Sequence, residues 1–403
     1  MLTMAAFAPP PKSSVHIYAE LLTNIRQITV KTCLPTPADN TTAAEIFGDG
    51  RKFRLSHKGT TAELDLPAKV LVKGALPISH KGSVDLTWRL PLLPARAPER
   101  QFLPENQVVP WSASDIKMES PVSCRACGQL FVQRGTITSW KDLPSENWAE
   151  MMEFWHCHKP VEHDKPEDGN LQQRGYGAAS AITAQPGVGF VDITSFLFAE
   201  PDCTSLKYSS PSHGGFNSSI EAITASSEEK FLDISCSNCA IDVGTFSIRA
   251  STVSLFKWQV SCEVPSVPTA PSSSDCLVAT LLSTIARSGS SKSIVLPQNM
   301  PAVDESSQHL RLWVLNNNVV YSCSRKQTPT SAIKVLFKDI QGKEALDMVE
   351  SLTTDVQDVS FPETAIHVAR DMLESSKFIL PPSERSFQDW QVGLLERWNP
   401  QPT

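Results

Sequence analysis

Hydrophobic and polar positions alternate with two different periods along this chain. The segment from Val15 to Val30 alternates loosely, which predicts a strand or a hairpin. Between Ser83 and Leu90 the pattern is cleaner. Val84, Leu86, Trp88 and Leu90 share one face at period two, as in a half-buried strand. Pro91–Ser120 and Gly169–Gly189 are rich in turn residues and read as loops, as does the Ser/Gly/Asn cluster of Ser205–Ser227. Val264–Ser274, Val-Pro-Ser-Val-Pro-Thr-Ala-Pro-Ser-Ser-Ser, has the composition of a linker.

Beyond that stretch the period changes. Leu277, Leu281, Leu282 and Ile285 predict a helix over Asp275–Ala286, and Lys343–Leu352 and Glu363–Phe378 are helical in pattern. Leu310–Ser322 suggests a hairpin turning at Asn316-Asn317-Asn318, and Ala332–Phe337 a strand. The fold class expected is α+β. A β-rich N-terminal two-thirds spans residues 14–263, a linker 264–274, and a smaller α+β C-terminal part 275–398.

The chain has 403 residues, 41% of them hydrophobic and 20% charged, the composition of a folded protein large enough for two domains. A net charge of −7 and the lack of a Lys/Arg run argue against direct nucleic-acid binding. No signal peptide is expected, because the N-terminal residues lack a charged stretch followed by a long enough apolar one, and no membrane span is expected, because no apolar run approaches about 18 residues. The ten cysteines are therefore expected to be reduced thiols or metal ligands, not disulfides.

Two cysteine pairs stand out: Cys124-Arg-Ala-Cys127-Gly128, and Cys236-Ser-Asn-Cys239 with Gly244 shortly after. Two intervening residues let both thiolates of a pair approach one ion from a tight turn. Together Cys124, Cys127, Cys236 and Cys239 would complete a closed tetrahedral site, hence a structural zinc stapling distant parts of the β-rich region. Trp155-His156-Cys157-His158 offers a competing set, in which Cys157 or His158 replaces a ligand of the second pair.

The residues before Cys157 predict a short helix beginning near Pro144. Trp148, Met152 and Trp155 fall on one face of it, either as core or as a docking surface for another protein. His158, at the helix end where the dipole favours imidazolium, completes the candidate binding set. A flanking imidazolium lowers a thiol pKa, which makes Cys157 the candidate nucleophile. Phosphate loops, His-Glu-x-x-His and Gly-x-Ser-x-Gly are absent, and Gln185–Gly189 runs into a β-like stretch instead of a helix.

These landmarks resemble the HECT-like family of proteins that bind ubiquitin-conjugating enzymes. The resemblance rests on Leu143–Trp148, Trp155–His158, the two cysteine pairs, Leu310–Asn316, Ser331–Phe337 and the C-terminal Leu380–Leu395. It implies binding of a ubiquitin-conjugating enzyme, promotion of ubiquitin transfer to proteins, and residence in cytosol and nucleus. It also implies a link to the nuclease that cleaves messenger-RNA 3′ ends. The alternative to a ubiquitin ligase is thus a non-enzymatic zinc-bearing adaptor or chaperone for that nuclease. One departure is plain: HECT domains carry their thioester cysteine near the C-terminus, and here no cysteine follows Cys323.

Overall fold

The computed structural model describes residues 15–93, 109–143, 184–209, 231–265, 267, 269–298, 307–351 and 353–399. The N-terminal stretch forms strands β1 (His16–Leu22), β2 (Gln27–Cys33), β3 (Ala43–Phe47), β4 (Lys52–His57), β5 (Thr60–Asp65), β6 (Gly74–Leu76) and β7 (Asp85–Pro91). The middle stretch contributes β8 (Val122–Cys124), β9 (Leu130–Val132), β10 (Ser139–Asp142), β11 (Val188–Val191) and β12 (Ser195–Ala199). It continues with β13 (Leu206–Tyr208), β14 (Phe231–Cys236), β15 (Asp242–Ser247), β16 (Thr252–Phe256) and β17 (Val260–Ser261). Helix α1 (Ser273–Ser288) leads into β18 (Lys292–Pro297), β19 (Gln308–Cys323) and β20 (Lys326–Gln341). Then come α2 (Gly342–Glu350), β21 (Val356–Phe361), α3 (Glu363–Ser376), β22 (Ser386–Phe387) and β23 (Trp390–Glu396). The architecture is β-rich with a minority of helix, as an α+β class requires.

The chain divides into two compact units. One runs from Val109 to Cys276; the other joins the N-terminal stretch to residues 277–398. This differs from the linear division at 264–274. The reason is pairing that no local pattern reveals: β1 lies antiparallel to β19, with Tyr18 opposite Cys323 and Leu21 opposite Val320.

In this second unit the strands run β22-β23-β20-β19-β1-β2-β7, with β18 beside β19 and β21 parallel to β18. A four-stranded sheet, β5-β4-β3-β6, accompanies it. Strand β1 is buried on both faces, which explains its loose alternation. Ile17, Ala19 and Leu21 join a core with Ile28, Val30, Phe53, Leu55 and Trp88. Tyr18, on the opposite face, packs with Tyr321, Leu336, Leu380 and Trp390. Glu20 is buried on that face too. It is neutralised by the Lys334 ammonium (2.6 Å) and accepts a hydrogen bond from the Tyr18 hydroxyl (2.8 Å). A buried carboxylate needs such partners, since desolvation alone would expel it.

Leu86, Trp88 and Leu90 of β7 are buried as their period-two pattern predicts, while Val84 precedes the strand and is exposed. The hairpin expected at Asn316–Asn318 is not there. Strand β19 runs straight through, with register shifts between Val314 and Asn316 and between Asn316 and Val319. The Asn316 side chain accepts from the Asn318 N–H (3.0 Å), so the asparagines build a bulge instead of a turn. The chain reverses at Ser324-Arg325, where Cys323 faces Lys326.

The Val109–Cys276 unit contains a seven-stranded sheet, β10-β11-β12-β16-β15-β14-β13, and a three-stranded one, β17-β8-β9. Its last stretch is not the free linker its composition suggests. Val267 is buried, and the Pro271 carbonyl accepts a hydrogen bond from Arg125 (2.8 Å). Among the described residues no helix is long and apolar enough to cross a membrane.

Candidate metal centre

The two cysteine pairs occupy the ends of two hairpins, and the backbone wiring of the two is the same. In the first, Cys124 ends β8, its N–H donates to the Gln129 carbonyl (2.8 Å), and the Gly128 N–H donates back to the Cys124 carbonyl (2.9 Å). In the second, Cys236 ends β14, its N–H donates to the Ile241 carbonyl (2.9 Å), and the Ala240 N–H donates to the Cys236 carbonyl (2.9 Å). Each loop turns its N–H groups towards the thiols through one residue of positive φ: Gly128 at +75° and Ala240 at +58°. Gly244 is therefore not the counterpart of Gly128. It lies inside β15, where a Cβ would stand 1.9 Å from the Ser254 carbonyl oxygen.

The thiols of Cys124, Cys127, Cys236 and Cys239 lie within 4.8 Å of one another. Across the two loops, Cys124 Sγ stands 3.6 Å from Cys239 Sγ, and Cys127 Sγ 3.6 Å from Cys236 Sγ. Disulfide sulfurs would be about 2 Å apart. A tetrahedron with zinc–sulfur bonds of about 2.3 Å has edges of about 3.8 Å, so the donor set fits one such ion. Cys124 and Cys236 are buried, Cys239 is half-buried and Cys127 exposed. Burial pushes the Cys124 thiol up to about 12. Hydrogen bonds from the Asn238 side chain, and then from the Gln129 backbone, draw Cys127 down to about 6.

Three residues that spacing rules pass over hold the loops in place. Arg125, between the first two cysteines, donates from Nε to Val260 O (3.1 Å), from Nη1 to Pro271 O (2.8 Å) and from Nη2 to Lys257 O (2.6 Å). Its guanidinium also stands 5.7 Å from the Trp111 ring centroid. Lys257 is fully buried. Its Nζ donates to Pro110 O (2.6 Å) and Trp111 O (3.1 Å), and burial lowers its pKa to about 8. Ser205 bridges the two loops. Its Oγ accepts from Gln129 Nε2 (2.9 Å) and its carbonyl from the Ser237 N–H (3.0 Å). No motif marks these residues; only the folded chain brings them to the cysteines.

Cys157, Trp148, Met152, Trp155 and His158 lie outside the described residues. The other described cysteines are not activated. Burial pushes Cys203, Cys262 and Cys276 up to about 12 and raises Cys323, while burial and then the Asp85 carboxylate raise Cys33.

The chain is similar to an uncharacterized protein of Saccharomyces cerevisiae, 20% identical over 287 residues that cover 70% of this chain and 71% of that protein. It is also similar to an uncharacterized protein of Schizosaccharomyces pombe, 46% identical over 54 residues, 12% of this chain and 15% of the relative. No solved structure matches it significantly. The profile of the HECT-like ubiquitin-conjugating enzyme (E2)-binding family matches residues 20–392. The match spans both compact units, and the chain belongs to that family.

Proposed function

We propose that this protein docks a ubiquitin-charged conjugating enzyme and promotes transfer of ubiquitin to a protein substrate, as a HECT-like ubiquitin ligase of the cytosol and nucleus. The observation that carries the reading is the family match over residues 20–392. Cys124, Cys127, Cys236 and Cys239 would hold a structural zinc. With four protein sulfurs around it, such an ion supplies a cross-link and leaves no position for substrate. Zinc and catalysis are therefore separate matters in this reading.

Transfer through the protein itself needs a nucleophilic thiolate. Its sulfur attacks the thioester carbonyl of the charged conjugating enzyme, a new thioester forms, and the enzyme's cysteine departs as thiolate. The raised thiols of Cys33, Cys203, Cys262, Cys276 and Cys323 are poorly suited to that attack. Cys157, between His156 and His158, remains the residue of choice, with Trp148, Met152, Trp155 and His158 as the docking face beside it.

Single-turnover discharge of ubiquitin from a panel of charged conjugating enzymes tests this, with wild type and Cys157→Ala in parallel. Acceleration lost in the variant supports a thioester at Cys157. Acceleration retained supports docking without one. Absence of acceleration across the panel removes the ligase reading. The raised thiols favour the second reading, a zinc-bearing adaptor for the messenger-RNA 3′-end processing nuclease. That reading expects stable co-purification with the nuclease and no discharge.

A further inference from the structure

The four clustered thiols are not equally reachable. Cys127 is exposed, Cys239 is half-buried, and Cys124 and Cys236 are buried. The exposed thiol therefore faces a shielded one across the two loops: Cys127 Sγ stands 3.6 Å from Cys236 Sγ, and Cys236 is fully buried. An accessible thiol beside a shielded one is the arrangement in which an oxidant meets the first and the second resolves the product.

The two loops are held opposite each other by bonds that involve no sulfur. Residues 204–206 run between them as a strut. The Thr204 N–H donates to the carbonyl of Phe131 (2.7 Å), on the strand that follows the first loop. Leu206 pairs with Cys236, on the strand that leads into the second. Between these ties Ser205 takes the Gln129 side chain (2.9 Å) and the Ser237 N–H (3.0 Å). The Arg125 N–H adds a bond to the Gln259 carbonyl (2.9 Å). No metal enters any of these contacts, so they keep the thiols opposed with or without an ion. Passing from 3.6 Å to a disulfide bond of about 2.05 Å moves each sulfur less than about 1 Å, within reach of a small side-chain torsion.

We propose that Cys127 and Cys236 form an oxidative modification site, at which hydrogen peroxide converts the exposed thiolate and the buried one closes a disulfide between the two loops. The Cys127 sulfur attacks the peroxide O–O bond. One oxygen stays on sulfur as a sulfenic acid, and the other leaves as hydroxide and takes up a proton. The Cys236 thiolate then attacks the sulfenic sulfur. The S–S bond forms, and the S–O bond breaks with release of a second hydroxide, protonated in turn. Two thiolates, one peroxide and two protons thus give one disulfide and two waters; the sulfurs lose two electrons and the peroxide gains them. A zinc held by the four thiolates would lose half its donors in this step. That clause rests on the zinc reading above, whereas the disulfide needs the thiols alone. Because the new bond joins positions 109 residues apart, it takes the place of the metal's cross-link instead of abolishing it.

The test adds hydrogen peroxide to the reduced full-length chain, as purified and after treatment with a chelator. A chromogenic chelator reads zinc release, mass spectrometry of alkylated peptides maps the disulfides, and calorimetry follows unfolding. The expected result is Cys127–Cys236 as the first disulfide in both preparations, with zinc released in step and the change reversed by dithiothreitol plus zinc. The oxidised zinc-free chain should unfold at a higher temperature than the reduced zinc-free chain. Cys127→Ser should slow disulfide formation in the cluster by at least about tenfold. Cys33→Ser, in the other unit, should react as wild type does. Should Cys127→Ser fail to fold, the wild-type peptide map decides alone. A first disulfide within one loop (Cys124–Cys127 or Cys236–Cys239), one through any other cysteine, or intact thiols after excess peroxide would overturn the proposal. A chain that carries no zinc before treatment and still forms Cys127–Cys236 would uphold it and remove the zinc reading alone.

Discussion

Arg125→Ala tests whether the first cysteine loop is held by its own arginine or by the metal alone. The side chain donates to three carbonyls, those of Lys257, Val260 and Pro271, and lies over Trp111. A hydrogen bond from a charged donor contributes about 1.5–3 kcal/mol, but water reaches part of a half-buried site, so about 1 kcal/mol for each carbonyl is reasonable. The cation–π contact adds about 1 kcal/mol. The sum is about 4 kcal/mol. For a unit of this size, at about 2–4 °C per kcal/mol, it corresponds to a fall of about 8–16 °C in the unfolding temperature. Arg125→Lys keeps one donor direction and should recover less than half of the loss, because an ammonium cannot span three carbonyls. Calorimetry reads the transition, and Trp111 fluorescence reports locally. A shift below about 2 °C in Arg125→Ala, with metal content unchanged, would refute the anchoring argument.

Elemental analysis should find one zinc per chain, and a strong chelator should lower the unfolding temperature of the unit carrying Cys124 and Cys236; well under half an equivalent of zinc would reject the shared site. Gly244→Ala should destabilise by more than about 3 kcal/mol or prevent folding, because its Cβ meets the Ser254 carbonyl at 1.9 Å, and soluble yield with denaturant unfolding reads this. Ala240→Gly should leave stability unchanged or improve it by up to about 1 kcal/mol, since Ala240 sits at φ +58°, and a clear loss in urea unfolding would count against the loop geometry. His16 has a folded pKa near 4 against about 6.5 unfolded, so the unfolded chain takes up the proton first as pH falls. Its contribution is intact above about pH 6.5, declines as pH drops to about 4, and levels off below, for a loss of up to about 3 kcal/mol. His16→Gln should flatten that slope, and an unchanged slope would assign it to other groups.

Much of the local structure is legible in the side-chain pattern. Leu86, Trp88 and Leu90 declare β7, and Leu277, Leu281 and Leu282 declare α1, because each set has one face to bury. The cluster of Cys124, Cys127, Cys236 and Cys239 is legible because each Cys-x-x-Cys spacing turns two thiols to one side of a tight loop. What escapes is decided by groups far apart in sequence. The asparagines at 316–318 have turn composition, yet the ladders on both sides of β19 keep the strand straight. Val264–Ser274 has linker composition, yet Arg125 captures Pro271. Gly244 looks like a loop glycine until Ser254 is seen against it.

The separation of the two cysteine loops has a consequence during synthesis. Cys127 and Cys236 are 109 residues apart in the chain. At ribosomal rates of about 5–20 residues per second, the first thiol pair waits about 5–20 s before the second leaves the ribosome. A two-sulfur fragment holds zinc weakly, so an ion bound by these four thiols would be retained only once the intervening stretch and its return hairpin had been made. Metal retention would then follow completion of the polypeptide between the loops, and a chain stalled before Cys236 would carry an open thiol pair that the finished protein does not.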